Sequence, residues 1–319
     1  MNEAEKTDFL SRLSQAARDQ LDPILAQPPA DPPEPDDIPG WQRLQALVEE
    51  RSKAACDLAL DTFNPVIVER VYAGIPALEV YPAEADPDLA PLVYVHGGGY
   101  TTFSARSSLF ASVPLAVDLE RTLISLDYPL APAAKFGTTV PAMAGALASL
   151  SETCPGAVLA GESAGGGLVL SAVNQLIKRD KQAFSSLVLI SPWTDLADRG
   201  DSRLTQRNHD PLLRYEPALA ACAEAYAPGK ADAPEASPVL AEYDRSFPPT
   251  LILCGTREIL LSDSVRLARR LRESQVQVEL DVYDGLFHSF PIIAPLAPEA
   301  FQARISIKSF LNRVQGRSR

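Results

Sequence analysis

The sequence predicts an α/β fold in which helices cover both faces of a mostly parallel sheet. The chain has 319 residues, of which 46% are hydrophobic and 22% are charged. These values are typical of a globular protein that is long enough to bury a large core. Short apolar runs typical of strands alternate with stretches of helical periodicity, as they do in proteins with a parallel sheet. Some of the runs are apolar throughout, as in 91–95, which indicates strands buried on both faces.

The chain is acidic, with 29 basic and 41 acidic residues and a formal net charge of −12. This charge argues against a nucleic-acid partner and against docking on anionic lipid, because both need a basic surface. The sequence contains no apolar run of about 18 residues, so we expect no membrane insertion. The amino terminus is acidic and has no apolar signal segment, so we expect a cytoplasmic protein.

The first 60 residues differ from the rest of the chain. Apolar residues between Phe9 and Leu21 recur at three- and four-residue spacing, which predicts an amphipathic helix. A proline-rich connector follows at 27–39, and it is too rich in proline to be helical. A second helical stripe follows, formed by Trp41, Leu44, Leu47, Val48, Ala55 and Leu58. Residues 1–60 are therefore predicted to be helices laid against the core.

The apolar pattern of the rest of the chain predicts eight strands, at 66–71, 77–81, 91–96, 122–126, 157–160, 186–190, 250–254 and 276–283. The first two form an antiparallel pair around Ala73 and Gly74. Helices are predicted at about 141–151, 164–179, 262–274 and 298–313. The segment at about 200–245 is rich in alanine, proline and charged residues. It interrupts the alternation of strands and helices and is therefore predicted to be an insertion.

The final strand, 276–283, alternates apolar and polar residues, as a half-exposed strand does. We expect it to be the last strand of the sheet. An exposed strand edge can pair with a second copy of the chain, so a homodimer through this strand is expected.

The strongest chemical signal is the motif Gly161-Glu162-Ser163-Ala164-Gly165. A predicted strand runs directly into it and a predicted helix leaves it, which is the arrangement of a nucleophile elbow. Glycines on either side remove side chains that would clash across the sharp turn. The hydroxyl of Ser163 would then stand at a helix amino terminus, where developing negative charge is stabilised. Ser163 is therefore the candidate nucleophile.

The segment His96-Gly97-Gly98-Gly99 follows the strand at 91–95. Three glycines allow the backbone N–H groups to approach an oxyanion closely. In lipases and esterases such a loop shares this task with the residue after the nucleophile, which is Ala164 here.

Three histidines occur in the chain. His96 belongs to the glycine loop, and His209 lies in a polar part of the insertion where we expect it to be exposed. His288 follows the last predicted strand, at the carboxyl end where catalytic groups of a parallel sheet collect. His288 is therefore the candidate general base.

The acid that orients the base should follow an earlier strand. Two residues after the strand at 250–254 are candidates. Glu258 lies in the loop just past the strand, whereas Asp263 is close to the start of a helix, where a carboxylate is often a cap. Glu258 is favoured, and Asp263 stays as the alternative.

These motifs together resemble the hormone-sensitive-lipase-like family of α/β-hydrolases, over residues 65–313. The matching segments are HGGG at 96–99, GESAGG at 161–166, SPWTDL at 191–196, GTREILLSD at 255–263 and YDGLFHSF at 283–290. The resemblance implies an α/β-hydrolase fold with an eight-stranded sheet and a helical cap. It places the catalytic domain at 61–319, and the cap at 1–60 and in the insertion at about 200–245. By resemblance, the oxyanion donors are the N–H groups of Gly98, Gly99 and Ala164.

The activity implied is hydrolysis of short- to medium-chain carboxylic esters through an acyl-enzyme. No metal or organic cofactor is expected, and the four cysteines form no CxxC pair that would suggest a zinc site. One alternative is a non-catalytic small-molecule receptor on the same scaffold, against which the presence of His288 argues. Another is a lactonase or amidase, because acyl transfer does not specify the leaving group.

Overall fold

A computed structural model describes residues 3–28, 30–179, 184–197 and 199–316. The strands in this part of the chain are β1 (Val66–Tyr72), β2 (Ile75–Tyr81), β3 (Leu92–Val95), β4 (Leu123–Leu126), β5 (Val158–Glu162), β6 (Ser186–Ile190), β7 (Thr250–Arg257) and β8 (Val278–Phe287). The α-helices are α1 (Glu3–Ser11), α2 (Gln15–Leu25), α3 (Ile38–Phe63), α4 (Leu109–Asp118), α5 (Phe136–Thr153), α6 (Ala164–Ile177), α7 (Ser202–Thr205), α8 (Ala220–Tyr226), α9 (Leu261–Glu273), α10 (Phe290–Ile293) and α11 (Pro298–Val314).

The strands form one eight-stranded sheet in the order β1-β2-β4-β3-β5-β6-β7-β8. Strand β2 runs antiparallel to both neighbours, and all other pairs are parallel. The predicted fold class is confirmed. The predicted antiparallel pair is also present, joined by Ala73 (φ 47°) and Gly74 (φ 88°). Two consecutive residues with positive φ suit the twist of a two-residue hairpin.

The parallel arrangement determines where the functional side chains collect. Strands β3 to β6 are buried at every position and mostly apolar, so most of their functional side chains lie at their carboxyl ends or just beyond them. The carboxyl ends of neighbouring parallel strands meet at one edge of a sheet. Ser163 follows β5, Ser191 follows β6, Glu258 follows β7 and His288 follows β8.

The amino-terminal segment forms two helices, so the prediction of one continuous helix over residues 9–21 was wrong. Ser14 is the N-cap of α2, and its hydroxyl accepts from the N–H of Ala17. Glu299 of α11 in turn accepts from the backbone N–H and the hydroxyl of Ser14, each at 2.8 Å. The helix is interrupted here because the Ser14 hydroxyl satisfies a free backbone N–H at the start of a new helix. The apolar stripe is nevertheless buried, and Phe9 packs edge-on against Phe287.

Helix α3 buries a face that differs in part from the predicted one. Trp41 is buried as expected, together with Cys56 and Ala59, whereas Leu47 and Leu58 are exposed. The insertion contains α7 and α8, a kinked turn at Tyr215–Leu219 in which Glu216 is extended, and a short 3₁₀-helix at Pro238–Leu240. None of the described helices combines the length and apolar character needed to cross a membrane.

Candidate active site

Ser163 occupies the sharp turn between β5 and α6, with φ 52° and ψ −121°. This backbone conformation is disfavoured for a residue with a side chain, and hydrogen bonds hold it in place. The N–H of Ser163 donates to the carbonyl of Ile190, and its carbonyl accepts from the N–H of Trp193, both at 2.9 Å. A Cβ at Gly165 would lie 2.2 Å from the carbonyl oxygen of Val95, so a glycine is needed there. The turn thus has the geometry of a nucleophile elbow.

The glycine loop lies beside this turn. The N–H of Gly97 donates to Glu162 Oε2 at 2.8 Å, which anchors the loop to the end of β5. Gly98 and Gly99 both have positive φ, at 97° and 63°. No acceptor among the described residues takes a hydrogen bond from the N–H of Gly98, Gly99 or Ala164. These three groups are therefore available as donors.

His96 lies under the loop and is unsuited to act as a base. Its ring stacks on Tyr128 with 4.4 Å between the ring centroids, and its Nδ1 lies 2.9 Å from the carbonyl oxygen of Gly97. Burial lowers the pKa of His96 to about 4, because the charged ring would lose its hydration. His96 therefore stays neutral and supports the loop.

His288 is buried and lies near three carboxylates. Its Nδ1 is 3.6 Å from Glu258 Oε2, which is an ion-pair distance and too long for a good hydrogen bond. Burial by itself lowers the pKa of His288, but Glu258, Glu162 and Asp210 outweigh it, and the pKa is raised above the ordinary value. The site therefore favours the protonated imidazole, the form that a general base reaches when it has accepted a proton.

Glu258 is held by a serine that the sequence did not single out. Ser191 Oγ donates to Glu258 Oε2 at 2.7 Å and accepts from the N–H of Ser289 at 3.0 Å. The hydroxyl of Ser191 therefore connects the acid after β7 to the turn that carries His288. This connection limits how far the two loops can move apart.

Asp263, the alternative acid, serves a different part of the structure. Its Oδ2 accepts from the N–H groups of Thr194 and Asp195, at 2.7 and 2.8 Å. It lies in the first turn of α9 as expected, but the N-cap is Leu260. Burial raises the pKa of Asp263 to about 6. Its carboxylate faces the turn after β6, whereas that of Glu258 faces the imidazole.

A family model described as the alpha/beta hydrolase fold matches residues 92–292. The chain belongs to the α/β-hydrolase family. This α/β-hydrolase is 31% identical over 284 residues to an acetyl-hydrolase from Streptomyces hygroscopicus, covering 86% of this chain and 93% of the relative. It is 28% identical over 281 residues to an esterase from Acinetobacter venetianus, covering 82% of this chain and 91% of the relative.

Solved structures agree with this assignment. A structure of esterase E25 superposes with a TM-score of 0.85 at 25% identity, covering 96% of this chain and 95% of the other. An esterase from the bacterial hormone-sensitive lipase family superposes with a TM-score of 0.80 at 29% identity, covering 98% and 99%. The resemblance to the hormone-sensitive-lipase-like family is thereby confirmed.

Sequence reasoning missed four polar residues of this α/β-hydrolase: Glu162, Ser191, Asp210 and Ser289. Glu162, Ser191 and Ser289 each lie next to a predicted strand end or beside a candidate residue, so their positions in the sequence were a usable signal. Asp210 gave none, because it belongs to the insertion. Its Oδ2 accepts from the N–H of Ile259 at 2.9 Å and so supports the loop that carries Glu258.

The insertion packs directly on the glycine loop of the hydrolase. Tyr226 of α8 stacks on Tyr100 with 3.8 Å between the ring centroids and an interplanar angle of 4°. Cys222 Sγ lies 3.3 Å from Thr101 Oγ1. His209, also in the insertion, is exposed as the sequence predicts, with its Nδ1 3.2 Å from the carbonyl oxygen of Thr205.

Proposed function

We propose that this α/β-hydrolase, a carboxylesterase, uses Ser163 as nucleophile, His288 as general base and Glu258 as the orienting acid. One observation carries the proposal. A serine held at positive φ, a buried carboxylate and a buried imidazole follow β5, β7 and β8, three parallel strands whose carboxyl ends lie at the same edge of one sheet. The names of the relatives, acetyl-hydrolase and esterase, support hydrolysis of carboxylic esters.

In the first half of the reaction, Ser163 Oγ attacks the ester carbonyl as His288 Nε2 takes its proton. The carbonyl oxygen becomes an oxyanion, to which the N–H groups of Gly98, Gly99 and Ala164 donate. These donors are fixed before the reaction, so they need no reorganisation when the charge develops. His288 then gives its proton to the departing alcohol, which leaves an ester between the acyl group and Ser163.

In the second half, His288 takes a proton from water as the water attacks the acyl-enzyme. Collapse of the second tetrahedral intermediate returns the proton to Ser163 and releases the carboxylic acid. Glu258 orients the imidazole and stabilises its cationic form in both halves. Ser191 supports this role because its hydroxyl donates to the carboxylate of Glu258.

We propose short- to medium-chain esters as substrates. A relative from Pseudomonas putida, 30% identical over 244 residues, is named ethyl acetate hydrolase, which supports a short acyl chain. A cap formed by residues 1–60 and about 200–245 would limit the space above Ser163. The contact between Tyr226 and Tyr100 supports that role for the insertion.

The test is a series of p-nitrophenyl esters from acetyl to dodecanoyl, with lactones and anilides compared at matched concentrations. We expect kcat/KM to be highest for short or medium chains and to be far lower for anilides. An organophosphonate should label wild-type enzyme at Ser163 and should not label Ser163→Ala. A folded Ser163→Ala protein that keeps the wild-type rate would refute the assignment.

We also propose a homodimer formed through β8. This strand is at the edge of the sheet, and Val282 on it is 42% exposed. An unpaired strand edge with an exposed apolar side chain favours pairing with a second copy.

A further inference from the structure

A second carboxylate reaches the imidazole through a hydroxyl. Ser289 Oγ lies 3.2 Å from His288 Nε2 and donates to Glu162 Oε1 at 2.7 Å. Because the hydroxyl proton points to Glu162, the oxygen lone pairs are left free to accept from a protonated Nε2. Ser289 and Glu162 are both buried, so water does not compete for these contacts.

The same carboxylate holds the glycine loop. Its other oxygen, Oε2, accepts from the N–H of Gly97 at 2.8 Å. A Cβ at Gly97 would lie 2.3 Å from that oxygen, so the carboxylate packs directly against the loop. Each oxygen of Glu162 is therefore used by a different loop, and Glu162 fixes the distance between the imidazole turn and the oxyanion donors.

The backbone of Ser289 shows that this contact is maintained at some cost. Ser289 has φ 52° and ψ 32°, a left-handed conformation that residues with a Cβ adopt reluctantly. Its N–H donates to Ser191 Oγ and its hydroxyl donates to Glu162. Glycine would adopt this conformation without strain, but glycine would lack the hydroxyl.

We propose that Glu162 and Ser289 form a positioning pair, in which Ser289 accepts from the protonated imidazole and Glu162 orients that hydroxyl while holding the glycine loop. The proposal rests on the assignment of His288 as the base. Three carboxylates act on this imidazole: Glu258 after β7, Glu162 at the end of β5 and Asp210 in the insertion. Of these, Glu162 alone is linked to both the imidazole turn and the glycine loop by the hydrogen bonds described.

The experiment compares kcat, KM and the pH profile of kcat/KM for four variants of the full chain. Ser289→Ala removes the hydroxyl and keeps the charge of Glu162. We expect about a tenfold loss of kcat, the rate equivalent of one hydrogen bond, with little change in KM. Glu162→Gln keeps a hydrogen-bond acceptor and removes the charge. We expect a lower kcat. We also expect the acid limb of the kcat/KM profile to move to lower pH, because the cationic imidazole of His288 loses a stabilising negative charge and its pKa falls.

Glu299→Gln is the matched control. Glu299 also accepts from a serine hydroxyl and a backbone N–H, but both belong to Ser14. We expect wild-type kcat and an unmoved pH profile for this variant. Ser289→Gly separates strain from chemistry, because it relieves the backbone and still lacks the hydroxyl. We expect its kcat to match that of Ser289→Ala.

The proposal is overturned if Ser289→Gly has the wild-type kcat, or if the variants lose only thermal stability and keep both kcat and the pH profile. If Glu162→Gln does not fold, the two Ser289 variants still decide the role of the hydroxyl. Labelling of wild-type enzyme at Ser163 by an organophosphonate is read in parallel. Failure of that labelling refutes the proposed function, whereas labelling with unaffected variants refutes the positioning pair alone.

Discussion

Replacing Glu258 by glutamine tests the proposed acid most directly. The carboxylate Oε2 lies 3.6 Å from Nδ1 of His288. With an effective dielectric constant of about 20, two unit charges at this separation attract by about 4 to 5 kcal/mol. If that attraction is lost when the imidazole becomes cationic in the transition state, kcat falls by about 10³-fold.

The change itself is small in structural terms. Glu258 Oε2 accepts from Ser191, and a glutamine carbonyl can accept in the same way. Oε1 of Glu258 has no hydrogen-bond partner among the described residues, so an amide nitrogen there interrupts no existing bond. The loss of activity therefore reports mainly on the charge.

The assay measures kcat with a saturating p-nitrophenyl ester, normalised to folded protein by circular dichroism. Asp263→Asn is the matched control, because Asp263 is an equally buried carboxylate of the same segment. It accepts from Thr194 and Asp195, so we expect lower thermal stability and a kcat within about threefold of wild type. The reverse ranking of the two variants would assign the acid to Asp263 and refute the reasoning.

Four further outcomes are expected. The kcat/KM of the wild type should fall as pH decreases through the pKa of His288, since a protonated imidazole cannot take the proton of Ser163. Because that pKa is raised, the midpoint should lie above the ordinary histidine value of 6.5, and a midpoint below it in a pH-rate profile would contradict the electrostatics. Gly98→Ala should lower kcat by about 100-fold or more, because φ is 97° and a Cβ there would lie 2.3 Å from a backbone oxygen. Gly145→Ala should instead raise the free energy of unfolding by about 0.5–1 kcal/mol in a denaturant titration, because a Cβ at this helical position would meet no atom within 4 Å. Light scattering after size exclusion should give a dimer mass for the wild type and a monomer mass for Val282→Lys, and a monomeric wild type would exclude the dimer.

The sequence determined the order of the strands along the chain and the residues that follow them. Short apolar runs predicted the central strands, and Ser163 directly follows one of them. The ends of the last two strands were harder to predict, because β7 and β8 extend to Arg257 and Phe287, beyond the predicted ends at 254 and 283. The break between α1 and α2 was not readable in the same way. It depends on Ser14 and Glu299, which are far apart in sequence and meet only when α11 packs against the amino-terminal helices.

The choice between Glu258 and Asp263 also needed the tertiary structure. Both are acidic residues after β7, and sequence distance cannot say which carboxylate faces an imidazole that follows β8. The same holds for Glu162, whose two oxygens bind loops after β3 and β8. Local sequence patterns predict strands and turns because backbone conformation depends largely on residues that are close in sequence. The partners of a buried charge depend instead on which distant segments the fold brings beside it.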